Sequence, residues 1–234
     1  MASDRQVVVR VAELAHQVAA AENGGLAWLS GDERARLDAM RSEIRRRQYL
    51  AGHWLIRCLA AEVFGGAASQ WLLTASAEGA PILQSAAHNA GQAIPASLSH
   101  STGWVAAALA PFPVGIDLEC ESKPRELLAL ADEAFSPAEC AQLRSLPAGE
   151  LAATFYLYWT LKEATGKREG HGLRTETARR QQPISVEAAD ADVVSWQFAN
   201  CSLALAGKVG MSLRVLGLPV EARQRYWRIT PVAD

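Results

Sequence analysis

Val114-Gly115-Ile116-Asp117-Leu118-Glu119 alternates apolar and acidic residues, and Trp159-Thr160-Leu161-Lys162-Glu163-Ala164-Thr165-Gly166-Lys167 follows about 40 residues later. On a strand, residues two apart point the same way. Ile116 and Leu118 then face a core, and Asp117 and Glu119 project together on the other side. Two carboxylates so close repel unless a cation lies between them, and an all-oxygen set suits Mg²⁺, which takes one or two carboxylates plus phosphate oxygens and water. The plainer alternative is a solvated strand end with two ordinary acids. The second stretch has helical spacing. Trp159, Glu163 and Lys167 form one stripe, and Phe155, Tyr158, Leu161 and Thr165 form a neighbouring one that suits a core. Its plain alternative is a surface Glu–Lys pair worth about 0.3–0.5 kcal/mol. Gly166 fits that alternative poorly, because glycine costs about 1 kcal/mol within a helix. Close approach of a ligand, or fraying at the helix end, would account for it.

Around these stretches the punctuation predicts strand, long helix, strands, helices, strands. Residues 7–11 read as a strand, followed by a loop with Asn23, Gly24 and Gly25. Ser30 and Glu33 form a capping box for a helical stretch reaching Phe64, with a break near Ser42. Short strands are expected at 71–74, 82–84, 96–100, 104–110 and 114–119, with turns at Glu78–Pro81, Asn89–Gly91, Ser101–Gly103 and Pro111–Pro113. Helices are expected at 125–134, from Ser136 (Pro at N1, Glu139 at N3) and at 150–168. Strands return at 193–199, 201–206 and 211–216. This order is α+β rather than strict βαβ alternation. Each half offers a helix followed by short strands, a loose sign of duplication.

Composition narrows the function. The chain has 234 residues and a net charge of −2, which argues against a global grip on nucleic acid. Alanine supplies 44 residues, so the 50% apolar share overstates the core. The longest apolar run, Trp104–Ile116, is too short to span a bilayer and contains Pro111 and Pro113. Cys58, Cys120, Cys140 and Cys201 lie far apart without C-x-x-C spacing, which reads as four free thiols in a cytoplasmic protein. Only four of the 23 basic residues are lysine, and two of those, Lys162 and Lys167, lie five apart.

Two further stretches carry candidate chemistry. Ser97-Leu98-Ser99-His100-Ser101-Thr102-Gly103-Trp104 places a histidine among hydroxyls in a turn, able to donate to an anion or simply to stabilise the turn. A Ser-His hydrolase is disfavoured, because alternation points Ser99 and His100 apart and no G-x-S-x-G occurs. From Arg34 to Arg57 there are seven arginines against Asp38 and Glu43, which suits phosphate or a solvated basic face. Arg57 follows Trp54-Leu55-Ile56 in the apolar part and needs a partner.

Together, in this order, these stretches resemble the Sfp-type 4′-phosphopantetheinyl transferases. That family pairs a (V/I)-G-(I/V)-D-x-E strand with a W-x-x-K-E-A-x-x-K helix. Ser99-His100-Ser101-Thr102-Gly103-Trp104, Leu55-Ile56-Arg57 and Gly172-Leu173 match further motifs, so the resemblance covers about residues 30–175. It implies two pseudo-symmetric α/β halves, residues 1–112 and 113–234, with the active site between them. The implied activity is transfer of the phosphopantetheine arm of coenzyme A to a serine of an acyl- or peptidyl-carrier protein, releasing 3′,5′-ADP. Such carriers serve fatty-acid, polyketide or nonribosomal-peptide synthesis. By the resemblance Asp117, Glu119 and Glu163 hold Mg²⁺, Glu163 is also a candidate base, and Lys167 contacts the pyrophosphate. Arg57 and His100 hold the 3′-phosphate with Ser99 nearby, and Arg41 and Arg45 are further coenzyme A contacts. Trp159 walls the pantetheine channel, and Lys162, about 100° around the helix from Glu163, has no clear role. The implied protein is a cytoplasmic monomer that binds neither nucleic acid nor membrane. Two positions depart from the family: Ala80 stands where a phosphate-binding lysine is usual, and His53 where arginine is frequent. A member that binds without catalysing, or an unrelated Mg²⁺-nucleotide hydrolase without a P-loop, are the competing readings.

Overall fold

The computed structural model describes residues 5–76, 79–86, 88, 92–121 and 126–232. The turn residues Glu78 and Asn89–Gly91 and the helix start at Arg125 lie outside them. The chain forms two compact units, Met1–Phe112 with Leu213–Leu218, and Pro113–Ser212 with Pro219–Asp234.

The first unit begins with β1 (Gln6–Glu13) and α1 (Leu14–Glu22), a helix where only a loop was expected. Its hydrophobic stripe is short, so periodicity gave little signal. α2 (Gly31–Ala39) starts on the Ser30–Glu33 capping box, and α3 (Glu43–Phe64) restarts on Ser42, whose hydroxyl accepts from the Arg45 N–H. β2 (Leu72–Ala75), β3 (Pro81–Gln84), β4 (Ile94–Ser101) and β5 (Trp104–Leu109) follow. Leu55, Ile56 and Leu59 of α3 pack on Val8, Val105, Ala107 and Leu109 of the sheet.

The second unit holds β6 (Gly115–Cys120), α4 (Leu127–Ala134), α5 (Pro137–Ser145), α6 (Ala148–Arg168), α7 (Thr175–Arg179), β7 (Gln181–Ser185), β8 (Val193–Phe198) and β9 (Cys201–Ala206). β10 (Ser212–Leu216) then joins the first unit's sheet beside β1, and β11 (Arg223–Pro231) completes the second sheet. α7, β7 and β11 were not foreseen. Phe155, Leu161 and Ala164 of α6 pack against Val193, Ala204, Ala206 and Trp227.

The strand orders are β10-β1-β5-β4-β3-β2 and β6-β9-β8-β11-β7. Each unit therefore places its opening strand antiparallel to the second strand of a later hairpin, β1-β5-β4 in one and β6-β9-β8 in the other. Between strand and hairpin each inserts a capped short helix and a long helix. The α+β class expected from the sequence is what the chain builds, but Leu213–Leu218 lies in the first unit, so the expected division at 112/113 does not hold to the end of the chain.

The cysteine expectation needs correction. Cys120 and Cys201 face each other across the β6–β9 ladder and form a disulfide, leaving Cys58 and Cys140 as free thiols. Separation along the chain hid a pairing that only strand register creates.

Candidate active site

Gly115 sets the distance between β6 and α6. A Cβ there would lie 1.9 Å from the Ala164 carbonyl oxygen and 2.5 Å from the Arg168 nitrogen, so only glycine permits this approach. Odd-numbered β6 residues thus face α6, while Ile116 and Leu118 are wholly buried on the other face. The expected alternation holds, but the acidic face lies under a helix instead of opening to solvent. Asp117 is 5% exposed. Its Oδ1 accepts from Lys167 Nζ at 2.7 Å, and the same ammonium donates to the Ile116 carbonyl at 3.0 Å.

Glu163 sits one helical turn before Lys167 on the same stripe. Burial pushes its carboxyl above the usual carboxylate range, and the negative charge of Asp117 adds to the rise. Lys167 and a hydrogen bond from the Leu173 backbone oppose it. Glu119 shares the Asp117 face of β6 and is half-buried. Among the described residues no three His, Cys, Asp or Glu side chains already stand together as a metal-binding group. The donor set still fits Mg²⁺, which asks for one or two carboxylates and completes its shell with water and substrate phosphate. The Asp117 charge lies close enough to Glu163 to raise the Glu163 carboxyl, and two acids so near each other are a fitting pair for one cation.

Gly166 answers to neither reason weighed for it. A Cβ there would lie 2.0 Å from the Gly172 carbonyl oxygen. The helix continues to Arg168, and the Gly166 carbonyl accepts from both His171 and Gly172 N–H at 3.0 Å. The residue makes room for the chain's own backbone. Trp159 is partly buried and stacks on Phe155 at 5.7 Å.

Lys162, whose role was open, is a core residue at 2% exposure. It donates to the Ala178 and Gln181 carbonyls at 2.6 Å and pairs with Glu139 at 3.0 Å. Burial lowers its proton affinity, and the Glu139 charge opposes that.

The remaining expected residues lie in the first unit. Arg41, between α2 and α3, and Arg45, in the first turn of α3, are exposed. His100 is exposed and Ser99 buried, on opposite faces of β4. His100 is therefore a strand residue, and the turn is confined to Thr102-Gly103, where Ser101 pairs with Trp104. Arg57, expected at the 3′-phosphate, is completely buried. Its guanidinium donates to both oxygens of Glu33 at 2.8 and 2.7 Å and to the carbonyls of Trp71 and His53 at 2.9 Å. All three of its nitrogens are committed to protein. The partner that the sequence demanded is Glu33, and no face of this guanidinium is open to a phosphate.

Both capping boxes were legible, yet their glutamates' second task was not. Glu33 pairs with Arg57, which lies 5.0 Å from the Trp28 ring. Glu139 pairs with Lys162, which lies 5.7 Å from the Phe135 ring. A capped short helix followed by a lone cation in an apolar helix is the signal that would have found both.

A family model described as the 4′-phosphopantetheinyl transferase superfamily matches residues 113–212. Among curated relatives, the 4′-phosphopantetheinyl transferase psf-1 of Bacillus pumilus is 36% identical over 159 residues, covering 65% of this chain and 64% of its own. The 4′-phosphopantetheinyl transferase HetI of a Nostoc strain is 34% identical over 148 residues, covering 63% and 62%. The 4′-phosphopantetheinyl transferase Sfp of Bacillus subtilis is 39% identical over 77 residues, covering 33% and 34%. The matched stretch thus spans just under two thirds of the length of the first two relatives.

Proposed function

We propose that the chain is a 4′-phosphopantetheinyl transferase of the Sfp type, like the relatives it matches, and that it transfers the phosphopantetheine arm of coenzyme A to a carrier-protein serine. The observation that carries this reading is the meeting of Asp117, Glu163 and Lys167 where α6 crosses β6. Asp117, Glu119 and Glu163 would hold Mg²⁺, which when bound neutralises charge building on the leaving phosphate. The Lys167 ammonium, already on Asp117, supplies a second positive charge for the pyrophosphate. In the transfer, the serine Oγ bonds to the phosphorus carrying the pantetheine arm, the bond to 3′,5′-ADP breaks, and Glu163 is the candidate acceptor of the serine proton. Arg41, Arg45 and His100, all exposed, with Ser99 near His100, are proposed as contacts for the nucleotide end of coenzyme A. Arg57 acts from behind by fixing Glu33 and the α3 backbone at His53. Among the described residues no helix is long and apolar enough to cross a membrane.

The test is direct. The protein is mixed with coenzyme A, Mg²⁺ and several apo carrier proteins, and the carriers are weighed. A gain of one phosphopantetheine supports the reading, and coenzyme A binding without any gain supports a non-catalytic binder instead. Asp117→Asn should lower kcat at least about 100-fold at any practical Mg²⁺ with an unchanged circular dichroism spectrum. Full activity would remove Asp117 from the metal set.

A further inference from the structure

Two lysines of α6 reach out of the helix in different directions. Lys162 lies about 100° around it from Glu163 and about 140° from Lys167. The Lys162 ammonium donates to the carbonyls of Ala178, in α7, and Gln181, at the start of β7, both at 2.6 Å. Glu139 of α5 lies 3.0 Å from it. One side chain thus ties α6 to three neighbouring elements. Lys167 ties the same helix to β6, through Asp117 at 2.7 Å and the Ile116 carbonyl at 3.0 Å.

The packing of Phe155, Leu161 and Ala164 holds α6 on the core, but burial is non-directional and tolerates small turns of a helix about its axis. A turn of about 20° moves an atom about 6 Å from the axis by about 2 Å. A misplacement of about 1 Å can cost about 100-fold in rate. Directional bonds are what resist such a turn. In the first unit Arg57 spends one of its bonds on His53 of its own helix. The two carbonyls and the carboxylate that hold Lys162 all belong to other elements.

We propose that Lys162 is a positioning residue: it sets the rotation of α6, so that Glu163 and Lys167 stay aimed at the Asp117 face of β6. The catalytic consequence rests on the transferase reading; the geometry does not.

Alignment is read without turnover, from proton exchange of the side-chain ammonium groups in protein carrying 15N in its four lysines. Lys162→Met with Glu139→Gln removes the grip, leaves neither partner as a lone buried charge and keeps a cap for the Ser136 N–H. Exchange at Lys167 should quicken at least about 10-fold, the loss of one charge-assisted hydrogen bond. In the transfer reaction the same variant should lose about 10–100-fold in kcat. Leu143→Ala, a core loss in α5 that leaves Lys162 in place, should also lower the urea midpoint. It should change Lys167 exchange and kcat less than about threefold, because a loss of stability alone does not turn α6. Unchanged Lys167 exchange in the double variant overturns the proposal, and so do equal changes in the double variant and Leu143→Ala. Should the double variant fail to fold, Lys162→Gln with Glu139→Gln, which keeps one donor for the carbonyls, is read in the same two ways. Wild-type protein that modifies no carrier refutes the proposed function and leaves the exchange result standing on its own.

Discussion

Glu33 shows how one side chain can hold several neighbours at once. It accepts from the Ser30 N–H, from both reaches of Arg57 Nη2 and from His53 Nδ1 at 2.7 Å, with the His53 ring 3.8 Å from that of Tyr49. Burial alone would raise its carboxyl, but the His53 bond, the Arg57 charge and the Ser30 N–H outweigh that and hold it at about 2. Burial lowers the His53 ring, against the pull of Glu33, and pushes the Tyr49 phenol up to about 12. Removing the carboxylate strands a buried guanidinium, so Glu33→Gln should cost about 3–5 kcal/mol in urea unfolding of the first unit. A loss under about 1 kcal/mol would mean water reaches Arg57. The pH dependence has one sign. Both groups bind protons more readily when unfolded, so stability is fullest above 6.5. It falls first as His53 charges in the unfolded chain, and again below 4.5 as Glu33 is lost toward about 2.

At the scale of elements, β6 and α6 were legible because each carries its pattern locally. Alternation in Gly115–Glu119 and the stripe Trp159–Glu163–Lys167 need no partner to be recognised. What faced the acids was not legible, since it depends on Gly115 letting α6 descend onto the strand. Gly115→Ala should force the helix off and cost about 1–3 kcal/mol, with transfer falling as Asp117 and Glu163 separate. Wild-type stability and activity together would show that the two elements tolerate a wider spacing. The same dependence on register concealed the Cys120–Cys201 pair, and edge strand β7 carries Pro183 and Ile184 with too few residues for a periodic signal. α1 has no capping side chain and no acidic first turn, so nothing announced its start.

Across the whole molecule, duplication accounts for residues that looked unrelated in sequence. Arg57 and Glu62 lie five apart on α3, as Lys162 and Lys167 do on α6. Arg10 of β1 opposes Ala107 as Asp117 of β6 opposes Ala204. In one unit Arg10 pairs with Glu62, and in the other Lys167 pairs with Asp117, so the same strand–helix contact appears with its charges exchanged. Each unit thus carries opposite charges at that contact, while only the second unit's polarity puts a carboxylate at this strand position with Glu163 beside it. Glu62 also accepts from Arg214 at 2.9 Å, and these side chains are 27–45% exposed, so the first unit's cluster is worth little to stability. Arg10→Asp combined with Glu62→Lys should shift the urea midpoint by less than about 1 kcal/mol equivalent and leave transfer at wild-type rates. The matching exchange in the second unit, Asp117→Lys with Lys167→Asp, preserves an ion pair as well but should lower transfer at least about 100-fold. If the first exchange also abolished transfer, the two contacts would share the chemistry, and the first unit could not be a copy that kept the scaffold without the acids proposed to hold Mg²⁺.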